Sequence, residues 1–591
     1  MQNLPRWQFD DSYVDFDNEK FKLSLEKLKS IVNEIAAAKN LNLCELIALY
    51  EGGFDIASSL LSFCRCKSSD NTLDERALIF EAEISANLSK LSQIKEMIFK
   101  KMDALSKDDE IWQKDEVKRW EFFYKEYKNS WINQLPSSEK SLYEKLSSSN
   151  FVPLYGLFRH LNNFLLIKTS DKSGATNSYN LSKCVGILKG SSDEVLRKNI
   201  FDELKKHYEK FAPLYTDLLN LLHAFRLNQF QSAGIDLYRA SFEQNRVSQM
   251  AVNAMFEALK DRLDGIRECV GLRAKYLGGN KMRACDLLAP SPFSEKSSIP
   301  YDEAIKLICD ALGEVGKEIP QFIHTMLEKR WIEADVRENK AGGAFYIRFN
   351  EFKQPRIFSS YLGTFAHFIQ QAHELGHAWH YWIMRDMPTL QTEFPMSLAE
   401  SASTFNEAVL RNYLLKNSKD SALKFDILWQ ELKAAANFML HISVRYDFEI
   451  SFIEARKNGI VTPQQIGEML KSAWEKWYGD CTSDYESFLP YFKLHFYKTD
   501  QYIYNYPYTI GYLISQFLIA KFRQNSSGFI DIYKAFLRDC GSNSVDFVIE
   551  KHFKKDIKQK EFWLECIDNA LQYADEFKRL NFSDLNLVKK A

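Results

Sequence analysis

No run of this 591-residue chain approaches the roughly 20 consecutive apolar residues that a membrane-spanning helix needs. The opening residues, Met-Gln-Asn-Leu-Pro-Arg-Trp, also lack the basic head and apolar stretch of a secretory signal. These absences make the cytoplasm the expected location and exclude a membrane as an expected partner. Charge of one sign is missing too. With 77 basic and 79 acidic side chains the formal charge is -2, so no global field draws a polyanion, and nucleic acid is not expected as a partner. Short basic runs such as Lys205-Lys206 read as solvated helix faces.

The ten cysteines, Cys44, Cys64, Cys66, Cys184, Cys269, Cys285, Cys309, Cys481, Cys540 and Cys566, lack paired spacing and the density of a secreted scaffold. They read as reduced core thiols. Cys64-x-Cys66 has no second Cys or His pair nearby, which argues against a zinc clip. No unit of fixed length recurs, so a helical repeat is not expected.

Core material is plentiful. Hydrophobic residues make up 46% and aromatics 14%, against an ordinary charged fraction of 26%, which fits at least two folded lobes in a chain of this length. Helical periodicity dominates: Ile84, Leu88, Leu91, Ile94 and Ile98 form one stripe, and Met255, Leu259, Leu263 and Ile266 another. The fold class is therefore mainly α. Polar punctuation at Ser170 to Asn177, at Leu277 to Asn280 and from Pro290 to Pro300 suggests an N-terminal helical lobe over 1–190 and a catalytic lobe over 191–591. One segment breaks the pattern. Ala344 to Phe349 and Arg356 to Tyr361 are rich in aromatic and β-branched residues on either side of Lys353-Gln354-Pro355, which predicts a β-hairpin.

That hairpin runs almost directly into His373-Glu374-Leu375-Gly376-His377, inside a stretch from Phe365 to Ile383 whose spacing predicts a helix. Two His residues four apart share a helix face one turn apart, so both imidazoles can reach one tetrahedral ion. Glu374 is then placed to take a proton from a water at the open coordination position. By chance the motif arises in about one or two of a hundred chains of this length, so it needs support. Gly376 supplies some, because glycine inside a helix costs about 1 kcal/mol relative to alanine and implies a close neighbour. His380 is expected at a rim or on the substrate side, not as a ligand.

A catalytic zinc takes a third protein ligand, and Glu393, Glu400 and Glu407 are the candidates. Pro395 to Leu414 predicts a second helix starting near Ser397. A carboxylate on a helix is better preorganised than Glu393 in a loop, so Glu400 is the expected ligand and Glu407 the partner orienting a ligating His. The metzincin pattern is excluded, since it wants Gly where His380 stands and His where Ile383 stands. Two imidazoles and a carboxylate suit zinc.

These residues resemble the oligoendopeptidase F and thimet oligopeptidase family of zinc metallopeptidases. Three stretches carry the likeness: His373 to His380, Leu398-Ala399-Glu400-Ser401-Ala402-Ser403-Thr404-Phe405-Asn406-Glu407, and the tyrosine-rich run from His495 to Tyr512. Weaker likeness extends through Gly342-Gly343, the hairpin, and Trp7 to Tyr13. The resemblance implies a two-lobed helical body around a deep substrate channel, with one zinc per chain and short oligopeptides as substrates cut at internal bonds. Zinc would be held by His373, His377 and Glu400, with Glu374 as general base. His495, Tyr504 and Tyr508 would stabilise the oxyanion that peptide hydrolysis develops, with Tyr502, Tyr506 and Tyr512 as competitors. The strand Arg356 to Tyr361 is the expected edge for an extended peptide, with Gly342 and Gly343 as a close-approach or hinge loop. Two alternatives remain at this stage: a zinc exopeptidase of carboxypeptidase type, and a catalytically silent helical peptide-binding protein.

Overall fold

The computed structural model describes residues 4–37, 41–293 and 299–580. Part of the punctuated stretch from Pro290 to Pro300, residues 294–298, lies outside them. The chain is mainly α-helical, and strands among the described residues form only two small sheets. It divides into two compact units, each assembled from three segments: Met1–Asn129, Ser298–Tyr413 and Leu518–Lys554 in the first, Ser130–Ser297, Leu414–Phe517 and Lys555–Ala591 in the second.

In the first unit, Asn42 and Glu45 cap each other at the start of Leu43–Asp70, and Asp74 caps Glu75–Asp103. The predicted stripe lies on the second of these helices, with Ile84, Leu91, Ile94 and Ile98 all buried. By length and composition Leu43–Asp70 would reach across a membrane, but 56% of its most apolar window is buried inside the fold. Trp7, Phe9, Tyr13 and Phe16 join this core, and so do Phe349 and Phe358 of the adjacent sheet. Cys64 and Cys66 lie fully buried in it, and all ten cysteines are free. Burial pushes the Cys64 thiol up to about 12, as expected of inert core thiols.

The sheet has three strands, with Gln354–Phe358 in the centre, parallel to Ile332–Glu333 and antiparallel to Phe345–Phe349. The predicted hairpin is present. Its turn passes through Asn350–Phe352 and a left-handed Lys353 at φ 54°. One expectation is overturned: the strand containing Arg356 is central, so the outer edge belongs to Phe345–Phe349. Sequence periodicity cannot tell an edge from a centre, because the deciding partner, Ile332–Glu333, is only two residues long. Strand alternation turns Phe345, Ile347 and Phe349 toward the helical core and leaves Tyr346 and Arg348 for the opposite face. Gly343 sits in open space at φ 91°, and nothing crowds Gly342. Gly343 serves a left-handed turn, and no described residue closely approaches either glycine.

In the second unit the stripe from Met255 to Ile266 is split at Arg262 between the helices Gln249–Asp261 and Leu263–Tyr276. Met255, Leu259 and Ile266 are fully buried and Leu263 is half-buried. Ser170 to Asn177 forms the turn region of an antiparallel hairpin, Leu166–Ser170 with Thr176–Asn180. Residue 190 ends the helix Leu181–Gly190.

Candidate metal centre

Thr364 caps the helix Phe365–Met384 by accepting from the His367 backbone N–H. Phe365, Phe368, Ala372, Leu375 and Trp379 bury its apolar face. His373 and His377 lie on the flank, one turn apart. A Cβ added at Gly376 would stand 2.6 Å from Ser403 Cα and 2.7 Å from the Ala402 carbonyl oxygen. The second helix, Met396–Asn417, thus crosses backbone to backbone at this glycine. That contact brings Glu400, one turn before the crossing, to the two imidazoles.

The three donors converge. His373 Nε2 and His377 Nε2 are 3.2 Å apart, and Glu400 Oε2 lies 3.5 Å from the first and 3.8 Å from the second. Four bonds of 2.0–2.1 Å in a tetrahedron put neighbouring donors about 3.3–3.4 Å apart, so this triangle fits a zinc-sized ion with one corner left open. Among the described residues this is the only group of three or more His, Cys, Asp or Glu positioned to hold a metal. Glu393 is turned away in an ion pair with Arg348.

Glu407 Oε1 lies 2.6 Å from His373 Nδ1, and its other oxygen accepts from Arg411 Nη1 at 2.6 Å. Burial opposes charge on Glu407, but Arg411 and His373 hold its carboxyl at about 2. A fixed anion therefore keeps the His373 proton on Nδ1 and points Nε2 at the metal position. Burial, reinforced by His373, lowers His377 to about 4, so its lone pair stays available. Glu374 is 5% exposed and accepts from the Tyr346 backbone N–H of the edge strand. Burial, opposed by His373, pushes it up to about 7, toward the range of a base working at neutrality.

His380 departs from its expected place. It is fully buried, stacks on Phe394 with centroids 4.0 Å apart and bonds the Leu537 carbonyl at 3.1 Å. Burial lowers it to about 3, so it is a neutral packing residue and not a rim group. One turn beyond His377 is still inside the helix's packed face, which the bare spacing does not reveal.

Within the second unit, His495 comes from the short turn Leu494–Phe496, and Tyr508 from the start of the helix Tyr506–Gln524. His495, Tyr504 and Tyr508 form a triangle of rings, with centroids 5.5 to 5.7 Å apart. All three are half-buried. Of the competitors, Tyr506 and Tyr512 are in the core, and Tyr502 packs on Phe230 and Arg226. The loop is firmly held. Arg226 donates to the carbonyls of Lys498 and Gln501, Ser241 to that of Tyr502, and Asn505 to buried Glu449. Ile503 sits at φ 49°, a backbone position that costs a β-branched residue roughly 1–3 kcal/mol and persists only where the surroundings impose it.

The sequence profile of peptidase family M3 matches residues 187–568, well over half of the chain. The chain belongs to peptidase family M3. Among curated relatives, oligopeptidase PepF of Bacillus subtilis is 25% identical over 458 residues, covering 75% of this chain and 66% of that one. An oligoendopeptidase F homolog of Lactococcus lactis is 26% identical over 358 residues, 59% of this chain and 58% of that one. The chain thus spans about three-fifths to two-thirds of the length of these relatives. The crystal structure of oligoendopeptidase-F from Enterococcus faecium superposes with a TM-score of 0.67 at 18% identity, covering 95% of this chain and 98% of that one. That likeness is one of fold.

Two residues of this candidate centre, Arg411 and Tyr346, are not singled out by the sequence pattern. Arg411 was within reach of it, standing four residues after Glu407 on one helix face. Tyr346, whose ring stacks on His377 at 6.0 Å and whose N–H meets Glu374, gave no local signal, because only tertiary packing brings the strand there. The helix crossing carries a prediction. Gly376→Ala forces the two backbones apart, and we expect at least about a tenfold loss of metal affinity with about 1–3 kcal/mol of destabilisation, read by metal content after dialysis and by thermal unfolding.

Proposed function

We propose that this chain is a cytoplasmic zinc metalloendopeptidase that hydrolyses internal bonds of short oligopeptides. The observation that carries the reading is the donor triangle of His373, His377 and Glu400, with Glu374 buried beside it and Glu407 fixing the first imidazole. Family membership supports a peptidase. The family match begins at residue 187, which supports a catalytic part running from about residue 191 onward. The deep channel that would restrict substrates to short peptides belongs to the same proposal.

When bound, zinc supplies Lewis acidity that makes a water ionise near neutral pH and polarises the scissile carbonyl. Glu374 takes the proton of the attacking water and returns it to the leaving amine. Its burial disfavours the carboxylate and so favours uptake of the water's proton, while a value near neutrality still lets the amine take it. His495, kept neutral at about 3 by burial and by Arg445, Lys493 and Lys498, offers an N–H donor, and Tyr504 and Tyr508 offer hydroxyls. We assign these three to the developing oxyanion. The free edge of Phe345–Phe349, which pairs with no second strand among the described residues, is where an extended peptide adds by backbone hydrogen bonds.

Tyr508→Phe and His495→Ala test the oxyanion assignment. Each should lower kcat about 10²- to 10³-fold with little change in KM. Steady-state kinetics on an internally quenched peptide decide it, and an unchanged kcat in both variants removes the assignment. Doubly blocked peptides separate this reading from an exopeptidase, which would not cut them.

A further inference from the structure

The second unit gathers a concentration of positive charge that the hydrolytic chemistry does not use, around a buried Arg445, a half-buried Lys493 and an exposed Lys189. A cavity of about 50 Å³ is lined by Lys189, His441, Tyr478, Glu486 and Lys493 among apolar neighbours such as Phe201. Arg445 stands one helical turn after His441 and is the charge felt by Lys189, His441, Glu486 and Lys493 alike. The local set is three cations against a single carboxylate.

Their hydrogen bonding is incomplete. Arg445 Nε and His441 Nδ1 are buried and find no partner among the described residues, although each residue is only 7% exposed. Glu486 does not neutralise the group. Its Oε2 lies 3.6 Å from His441 Nε2, and no ion pair within 4 Å links it to Arg445 or Lys493 among the described residues. Burial, then Arg445, drives Lys493 below the ordinary range of a lysine, and burial with Arg445 and Lys493 keeps His441 neutral. A guanidinium nitrogen buried without a hydrogen-bond partner is unfavourable. Water in the cavity would satisfy orphan donors but would leave the excess charge in place.

We propose that this cavity is an anion site, in which Lys493 and Lys189 of the lining hold one small monovalent anion, a halide or a carboxylate group, in the field of Arg445 behind them. The volume admits such a group and excludes large anions. After burial, Arg445 and Lys493 are also the charges that depress His495 most, so occupancy changes the field at that imidazole. This link to turnover rests on the oxyanion reading above; binding itself does not.

The test uses the full-length Glu374→Gln chain loaded with zinc, so that binding is read without turnover. Its thermal midpoint is followed in sodium chloride, sodium formate and sodium gluconate at constant ionic strength, gluconate being too large for the cavity. We expect chloride and formate to raise the midpoint saturably by about 2 °C or more over gluconate. The rise should disappear in Lys493→Gln and Arg445→Gln, and in Lys189→Gln should either of those fail to fold. The same pentapeptide as free acid and as C-terminal amide identifies the source. A larger shift with the acid, lost in Lys493→Gln, assigns the site to substrate carboxylates, and equal shifts assign it to free anions. If neither chloride, formate nor the acid exceeds its control, the cavity holds water and the proposal fails.

Discussion

Glu374→Gln leaves the metal in place and lowers peptide hydrolysis by about 10³- to 10⁴-fold. The two halves of this expectation come from different parts of the structure. Glu374 is not one of the converging donors, so zinc content should stay near one per chain. The amide oxygen of Gln can still accept from the Tyr346 N–H, so the helix and edge strand keep their contact, and a loss of rate reflects the missing base. Parallel measurement of zinc by atomic absorption and of kcat on an internally quenched peptide checks it. A near-normal rate would remove Glu374 from the chemistry.

Glu400→Ala should behave differently, losing metal and activity together. Only Oε2 of Glu400 completes the donor triangle, and Ser403 Oγ donates to that same oxygen at 3.0 Å, which holds it in place. With two imidazoles left, zinc affinity should fall more than the roughly 10- to 100-fold typical of losing an outer partner. Activity should vanish after dialysis and return in part at high zinc. The contrast between the variants is diagnostic: one holds metal without turning over, and the other does neither. Full zinc retention in Glu400→Ala would send the search to another carboxylate.

Much of this centre was legible because its parts are local. The His pair and Glu374 share one helix, so the helical period alone sets their relative positions. Glu400 and Glu407 lie two turns apart on the next helix, which fixed their common face. Gly376 announced a close neighbour, and the structure supplies it as the backbone at Ala402 and Ser403. What could not be read depended on tertiary placement. The free strand edge was assigned to the wrong strand, because a two-residue strand from elsewhere covers Gln354–Phe358. His380 was sent to a rim, because nothing local records that Phe394 and Leu537 enclose it. At the fold level, periodicity identified helices well but not their ends, as the break at Arg262 shows. Neither did it reveal that each compact unit is woven from three separate segments.

The most direct measurement follows an oligopeptide blocked at both ends, incubated with one preparation in three states: as purified, stripped of zinc by a chelator, and returned to one zinc per chain. The account predicts cleavage at an internal bond in the first and third states and none in the second. Internal cleavage by the stripped chain, or cleavage only of peptides with a free end, would contradict it.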